Sequence, residues 1–130
     1  ARQLATLHEV LAASDIVVVA VPGGAATHHI IDAAALAAMR PHAHLINISR
    51  GDTVNEAALI EALEARRIGG AGLDVYEREP LVSERLRALD NVTLLPHLGT
   101  AALEVRTAMG MMAVENLIAF AEGRALRNAV

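Results

Sequence analysis

The chain has 130 residues, 54% of them hydrophobic, and a formal net charge of -4 at pH 7, which predicts one domain, or part of one, around a single core. The acidic balance and the lack of a basic cluster argue against nucleic acids and membrane surfaces as partners. No cysteine is present, which excludes disulfides, cysteine metal sites and thiol nucleophiles, and apolar runs such as residues 16–21 are too short to span a bilayer.

Helix-like and strand-like segments alternate along the chain. Apolar residues at helical spacing predict helices over residues 4–13, 32–39, 56–66 and 83–89, the third of them closed by Gly69-Gly70. Short apolar runs predict strands over residues 16–21, 45–48, 71–75 and 92–95. Strands that are apolar on both faces and separated by helices form parallel sheets covered on both sides, so we expect a doubly wound α/β fold.

The last predicted element is a long amphipathic helix over residues 101–121. Gly123 stands where a C-terminal cap belongs. The apolar side chains that define its expected stripe are Val105, Met109, Met112, Leu117 and Phe120.

The chain opens on a helix with no preceding strand and no Gly-rich phosphate loop. No Gly-x-Gly-x-x-Gly occurs, and Gly70-Ala71-Gly72 precedes a strand instead of following one. Such a sequence cannot place a helix N-terminus against a pyrophosphate, and we interpret it as a turn with close packing.

Polar residues follow the predicted strands at the edge where parallel sheets bind ligands. Three motifs carry them: NISRGDTVN at residues 47–55, GGAGLDVYEREP at 69–80 and LLPHLGTAA at 94–102. In this pattern, spacing and order, the chain resembles the D-isomer-specific 2-hydroxyacid dehydrogenases over nearly its whole length. The resemblance implies a partial Rossmann-like domain and an NAD(P)-dependent oxidoreductase that interconverts a 2-oxo acid and a D-2-hydroxy acid.

The resemblance assigns three catalytic residues. Arg50 would grip the substrate carboxylate and carbonyl with its planar guanidinium, in place of merely capping a strand end. His97 would exchange a proton with the carbonyl oxygen, because imidazole ordinarily titrates near neutrality. Glu79, directly before Pro80, would orient the His97 ring; relatives acting on formate carry glutamine there, which argues against that substrate. We interpret the neighbouring Glu77 as a solvated loop acid.

The resemblance also implies that the cofactor is NAD or NADP. Asp74 would lie near its nicotinamide end. The other residues of the predicted cofactor wall, beside Arg50 and His97, are Val21, Pro22, Ile48, Ser49, Gly99 and Thr100. The segment Gly23-Gly24-Ala25-Ala26-Thr27 is less bulky than the family pattern and leaves the local loop shape open.

The remaining histidines carry no predicted site. They are His8, His28, His29, His42 and His44, for which we expect surface or helix-end positions. Adjacent residues such as His28-His29 rarely converge on one ion, and no acids are spaced around them as ligands, so we predict no metal site.

We therefore expect residues 1–130 to be the C-terminal portion of a nicotinamide-dinucleotide-binding domain, with the first βαβ unit and the substrate domain absent. Such a fragment would be inactive alone, and the residue that chooses between NAD and NADP would lie outside it. The full-length protein is expected to be a soluble, cytoplasmic homodimer acting on a small 2-oxo or 2-hydroxy acid. Two alternatives stay open: a nicotinamide-sensing, co-repressor-like binding module, and a remnant with structural value only.

Overall fold

The computed structural model describes residues 2–129, which form two compact units, one ending at His97 and the other beginning at Leu98. The helices are α1 (Leu7–Ala13), α2 (Ala33–Ala38), α3 (Glu56–Glu64), α4 (Glu84–Arg87) and α5 (Leu103–Ala121). The strands are β1 (Ile16–Val19), β2 (His44–Asn47), β3 (Gly70–Leu73) and β4 (Val92–Leu94). None of the helices in the described part of the chain is both long and apolar enough to cross a membrane.

The four strands form one parallel sheet in the order β1-β2-β3-β4. This arrangement confirms the predicted Rossmann-like α/β fold. Each predicted strand begins within one residue of its observed start, but β1 and β3 end two residues earlier than expected. The early ends leave residues such as Val21 and Asp74 in the loops that follow the strands.

The core of the first unit lies on one face of the sheet. Val17, Val19 and Leu45 point to that face and are at most 6% exposed, whereas Ile16 and Val18 are 65% and 54% exposed. The sheet was expected to be covered on both sides, but in the part of the chain that the structure describes only one of its faces is covered. Crossovers between parallel strands are right-handed, so a strand order that runs in a single direction places the crossover helices on the same face.

The predicted stripe on α5 is wrong, although the long helix itself is present. Helical geometry puts Leu103, Met111, Val114 and Ile118 on the side opposite the expected stripe. Apolar side chains therefore surround the helix, and among those described only Ala119 is buried. A helix that is hydrophobic on all sides is typical of a buried position in a larger assembly of elements.

Two helices end on a residue with left-handed backbone conformation. Gly123 has φ 68° and donates its N–H to Phe120 O at 3.2 Å, which confirms the predicted cap of α5. Helix α3 ends in the same way at Arg66, with φ 51° and an N–H bond to Leu63 O at 3.1 Å. The prediction that residues 69–70 close this helix is wrong, because a charged residue adopts the conformation usually left to glycine.

Gly51 lies directly against the peptide group that joins Tyr76 to Glu77. A Cβ atom built on Gly51 would fall 1.9 Å from both Tyr76 C and Tyr76 O, and 2.4 Å from Glu77 N. Those neighbours are backbone atoms, which cannot rotate away. The loop that follows β2 can rest on the loop that follows β3 only because residue 51 has no side chain.

We predict that Gly51→Ala lowers the free energy of unfolding by about 3 kcal/mol, at the upper end of the range typical of overpacking, because the two loops must separate. Urea denaturation measures this. The matched control is Gly110→Ala inside α5, where an added Cβ meets nothing within 4 Å. Alanine is the better helix former by about 1 kcal/mol, so the control should be neutral or stabilising. Equal stability of Gly51→Ala and wild type would contradict the close contact.

Candidate functional site

An open depression of about 750 Å³ lies beyond the carboxyl ends of β1, β2 and β3. This is the edge at which open parallel sheets bind ligands. All three predicted catalytic residues line it. The full lining is Val21, Pro22, Gly23, Gly24, Arg50, Gly51, Asp52, Tyr76, Glu77, Glu79 and His97.

His97 and Glu79 form a hydrogen-bonded pair in this depression. The distance from His97 Nδ1 to Glu79 Oε2 is 2.8 Å, and the two side chains are 47% and 36% exposed. His97 has φ 57°, a left-handed conformation that costs a non-glycine residue about 1 to 3 kcal/mol. Because a carboxylate only accepts, Nδ1 donates, and Nε2 is the ring atom left to exchange a proton.

The second carboxylate oxygen of Glu79 accepts the N–H of Tyr76 at 3.0 Å. Partial burial opposes ionisation of Glu79, but the hydrogen bonds from His97 and Tyr76, with the charges of His97 and Arg50, outweigh it and lower the pKa below its ordinary value. A lowered pKa stabilises the fold above the ordinary pKa of the carboxyl, and that contribution is lost as the pH falls through the lowered value. Glu79 is therefore ionised at neutral pH.

A buried network holds the backbone that carries Arg50. Asn47 is 1% exposed and Thr53 0%, and both donate to Arg50 O, from Asn47 Nδ2 at 3.0 Å and Thr53 Oγ1 at 2.6 Å. The guanidinium donates from Nη1 to Ser49 O at 2.7 Å. A Cβ on Gly23 would lie 2.8 Å from Arg50 Cγ, so the side chain runs closely along the loop that follows β1.

Ser49 belongs to the same network. Its hydroxyl lies 3.2 Å from Asn47 Oδ1 and 3.1 Å from Thr53 Oγ1, and its N–H donates to Asn47 Oδ1 at 3.0 Å. The residue is 7% exposed. Within this structure, Ser49 supports the Arg50 backbone from the interior.

The predicted cofactor residues lie in different places. Val21 and Pro22 line the depression, and Ile48 is 58% exposed just after β2. Asp74 follows β3 directly and donates its N–H to Asn47 O at 3.0 Å. Gly99 and Thr100 belong to the second unit.

The open question about the loop shape after Pro22 is answered by one hydrogen bond. Thr27 Oγ1 donates to Pro22 O at 2.6 Å and closes the segment between them into a turn. Gly24 adopts φ 138° in that turn, a conformation that side chains disfavour. The small residues of the segment thus fit a tight turn at the rim of the depression.

Tyr76 is a site residue that the sequence reasoning missed. It is 8% exposed, and its hydroxyl donates to Leu95 O at 2.7 Å, next to the segment that carries His97. Burial raises the pKa of the Tyr76 phenol, and the negative charges of Asp74 and Glu79 raise it further. The hydrogen bond to Leu95 lowers this pKa but does not cancel the increase. An aromatic residue two positions after Asp74 was the available signal.

The interpretation of Glu77 as a solvated loop acid is wrong, because its carboxylate pairs with the partly exposed ring of His29. Glu77 Oε1 lies 2.6 Å from His29 Nε2, with side-chain exposures of 25% and 32%. The two residues are 48 positions apart, so no local pattern could have paired them.

Residues 1–99 match the family model described as the D-isomer specific 2-hydroxyacid dehydrogenase NAD binding domain. The chain is 50% identical over 117 residues to a glyoxylate reductase of Pyrococcus furiosus, covering 90% of this chain and 35% of that protein. It is 48% identical over 118 residues to a hydroxyphenylpyruvate reductase of Plectranthus scutellarioides, covering 91% and 38%.

Solved structures of the same kind share the fold. An NADPH-dependent glyoxylate/hydroxypyruvate reductase of Sinorhizobium meliloti, in complex with citrate, matches with a TM-score of 0.88 and 47% identity over 93% of this chain and 38% of that one. The holo form of D-mandelate dehydrogenase from Rhodotorula graminis matches with a TM-score of 0.91 and 37% identity, over 98% and 38%.

The chain thus spans well under half the length of these relatives. The family model nevertheless covers most of the chain, including the three strand-end segments that hold Arg50, Glu79 and His97. We conclude that the chain belongs to the D-isomer specific 2-hydroxyacid dehydrogenase family.

Proposed function

We propose that this chain is the C-terminal portion of the nicotinamide-dinucleotide-binding domain of an NAD(P)-dependent oxidoreductase that interconverts a 2-oxo acid and a D-2-hydroxy acid. The observation that carries the proposal is the imidazole–carboxylate pair of His97 and Glu79 in one depression with Arg50. The fragment part of the proposal is supported by the 35% to 38% of their length that the chain spans in the relatives it matches.

The depression fits the nicotinamide end of the cofactor. Val21 and Pro22 give it an apolar wall beside the strand ends, and an added Cβ on Gly24 would meet nothing within 4 Å, so the rim is open at that point. The bound cofactor would supply or accept the hydride. Asp74, at the end of β3, is the proposed carboxylate near that ring.

The protein's own residues would bind the acid and move the proton. Arg50 would hold the substrate carboxylate by paired N–H bonds, which fixes the 2-oxo carbon in the depression. His97 Nε2 would donate a proton to the carbonyl oxygen in reduction and take one back in oxidation. Glu79, ionised and bonded to Nδ1, would stabilise the imidazolium and hold the ring plane.

We further propose that the full-length protein, meaning the complete product of the gene that encodes this chain, is a cytoplasmic homodimer. The family resemblance supports the dimer, and the absence of cysteine is compatible with a reducing compartment. Light scattering of the full-length protein tests the dimer, and cell fractionation tests the cytoplasmic location.

The proposed function is tested by intact mass and turnover. The full-length protein should exceed the 13.7 kDa of this chain and should oxidise NADH or NADPH with glyoxylate, hydroxypyruvate or another 2-oxo acid. The 130-residue chain should bind NADH poorly and show no reductase activity. Turnover by a chain of verified 13.7 kDa mass would contradict the fragment proposal. A full-length protein without turnover that oligomerises with a partner on binding NADH would favour the co-repressor alternative.

Arg50→Lys in the full-length protein should weaken transition-state stabilisation by about 2 to 4 kcal/mol, because a planar fork becomes a point charge. The measurement is kcat/KM for 2-oxo acid reduction, and NADH affinity should change much less. Arg85→Lys is the matched control: Arg85 also makes two bonds to a carboxylate, that of Glu64, but lies outside the depression. Equal kcat/KM for Arg50→Lys and the control would remove Arg50 from substrate binding.

Glu79→Gln should move the pH profile of kcat/KM to lower pH in both directions. Reduction requires protonated His97, and the substitution removes the negative charge 2.8 Å from Nδ1 that stabilises the imidazolium. The fall in kcat/KM for reduction with rising pH should therefore begin at lower pH, and kcat/KM for oxidation should also rise at lower pH. The control is Glu64→Gln, an acid in α3 outside the depression, which should leave both profiles in place. Unmoved or raised midpoints for Glu79→Gln would show that another acid is the charged partner of His97.

A further inference from the structure

The carboxylate of Glu77 joins three segments of the first unit. Its Oε1 atom lies 2.6 Å from His29 Nε2, in the loop after β1, and accepts the N–H of Glu56, the first residue of α3, at 3.1 Å. Glu77 itself belongs to the loop after β3. The same side chain lines the depression that contains Glu79 and His97.

The contact between Glu77 and α3 is reciprocal. Glu77 donates its own N–H to Glu56 Oε2 at 3.3 Å. Burial raises the pKa of Glu56, the hydrogen bond from Glu77 N lowers it, and the negative charge of Glu77 raises it again. Two acids thus stand side by side, an arrangement that the donors around them must offset. The N-terminal end of the nine-residue α3 provides part of that compensation.

The ring of His29 is oriented so that it donates a hydrogen bond to the carboxylate of Glu77. Asn55 Nδ2 lies 3.4 Å from His29 Nδ1, and because an amide nitrogen only donates, Nε2 carries the ring proton that faces Glu77. The backbone of His29 is fixed as well: it has φ 50°, and its N–H donates to Asp52 O at 2.8 Å. A residue held in this conformation by its surroundings can act as a rigid anchor.

Glu79 lies two residues after Glu77 on the same loop. That loop is tied to the end of β4 by the hydroxyl of Tyr76, which donates to Leu95 O at 2.7 Å. Glu77 ties it on the other side, to α3 and to the loop after β1. With the Glu77 side chain removed, Glu79 stays linked to Tyr76 N and the N–H of residue 77 can still donate to Glu56 Oε2, but the segment loses the carboxylate contacts to His29 and to the N–H of Glu56.

We propose that Glu77 is a positioning residue, which through His29 and the N-terminus of α3 holds the loop after β3 so that Glu79 reaches His97. The proposal rests on the proposed function only for the catalytic meaning of the pair formed by Glu79 and His97. The geometry of that pair can be measured without turnover.

The test reads the tautomer of His97 in this chain, labelled with ¹⁵N in the histidine rings, at a pH where the ring is neutral. The His97 signals are assigned by their loss in His97→Gln. In wild type the proton should reside on Nδ1, facing Glu79. Glu79→Ala provides the reference spectrum with that acceptor removed. The tautomer reports this one hydrogen bond, so a general loss of stability in a folded variant does not move it.

Glu77→Ala should shift the His97 signals at least half of the way to the Glu79→Ala reference. Glu77→Gln should stay at wild type, because its amide oxygen can accept from both donors. Glu64→Ala is the matched control: Glu64 also bonds a basic side chain, Arg85, yet lies outside the depression, and the His97 signals should not move. A folded Glu77→Ala variant with the wild-type tautomer overturns the proposal.

If Glu77→Ala does not fold, the His29→Asn variant tests the positioning role of Glu77 instead. Asparagine tolerates the left-handed backbone and removes the ring contact, so the His97 signals should shift in the same direction by a smaller amount. Unmoved signals in this variant overturn the proposal.

Activity of the full-length protein separates the two proposals. Glu77→Ala should lower kcat/KM by on the order of ten- to a hundredfold, with recovery in Glu77→Gln, because small misplacements of catalytic groups cost rates of this size. A wild type without turnover whose tautomer responds to Glu77→Ala overturns the proposed function alone. An active wild type with an unresponsive tautomer overturns the positioning role alone.

Discussion

The arrangement of the site depends on the contact between Gly51 and the peptide group of Tyr76 and Glu77. A side chain at position 51 would stand 1.9 Å from that backbone, so the contact exists only with glycine. On one side of it the chain carries Arg50, and on the other it leads within three residues to Glu79. Two loop segments in direct backbone contact thereby bring a guanidinium and a carboxylate from different strand ends into one depression.

Two kinds of support surround these exposed charged side chains. The backbone of Arg50 is held by Asn47 and Thr53, which are almost fully buried and fully committed to hydrogen bonds at one point of the core. Glu79 is held by a loop that two adjacent residues, Tyr76 and Glu77, tie to different elements. The charged side chains that line the depression stay accessible, while the groups that position them lie deeper. This division lets a site remain open to ligand without losing its geometry.

The fold could be read from the sequence where neighbouring residues decide it. Segments with helical apolar spacing alternate with short apolar runs, and this pattern predicted the four strands and the helices between them. It could do so because the secondary structure of each segment depends mainly on its own residues. Local preferences did not predict what surrounds α5, which has apolar residues on all sides, or what covers the face of β1 bearing Ile16 and Val18. Both errors concern what an element packs against, and apolar content alone does not say which neighbour covers it. The end of α3 at Arg66 failed for a related reason, since glycine is the usual signal for that conformation.

For the site, the sequence by itself determined the three strand-end motifs and the residue types in them. Those motifs place Arg50, Glu79 and His97 at one edge of a parallel sheet, because the strands that precede them run in the same direction. Only the tertiary structure decided that Glu77 faces His29, 48 positions away, and that Tyr76 reaches Leu95. The sequence of a charged loop does not show whether a carboxylate in it is hydrated or hydrogen-bonded to a distant imidazole. Partners so far apart along the chain are chosen by the fold as a whole.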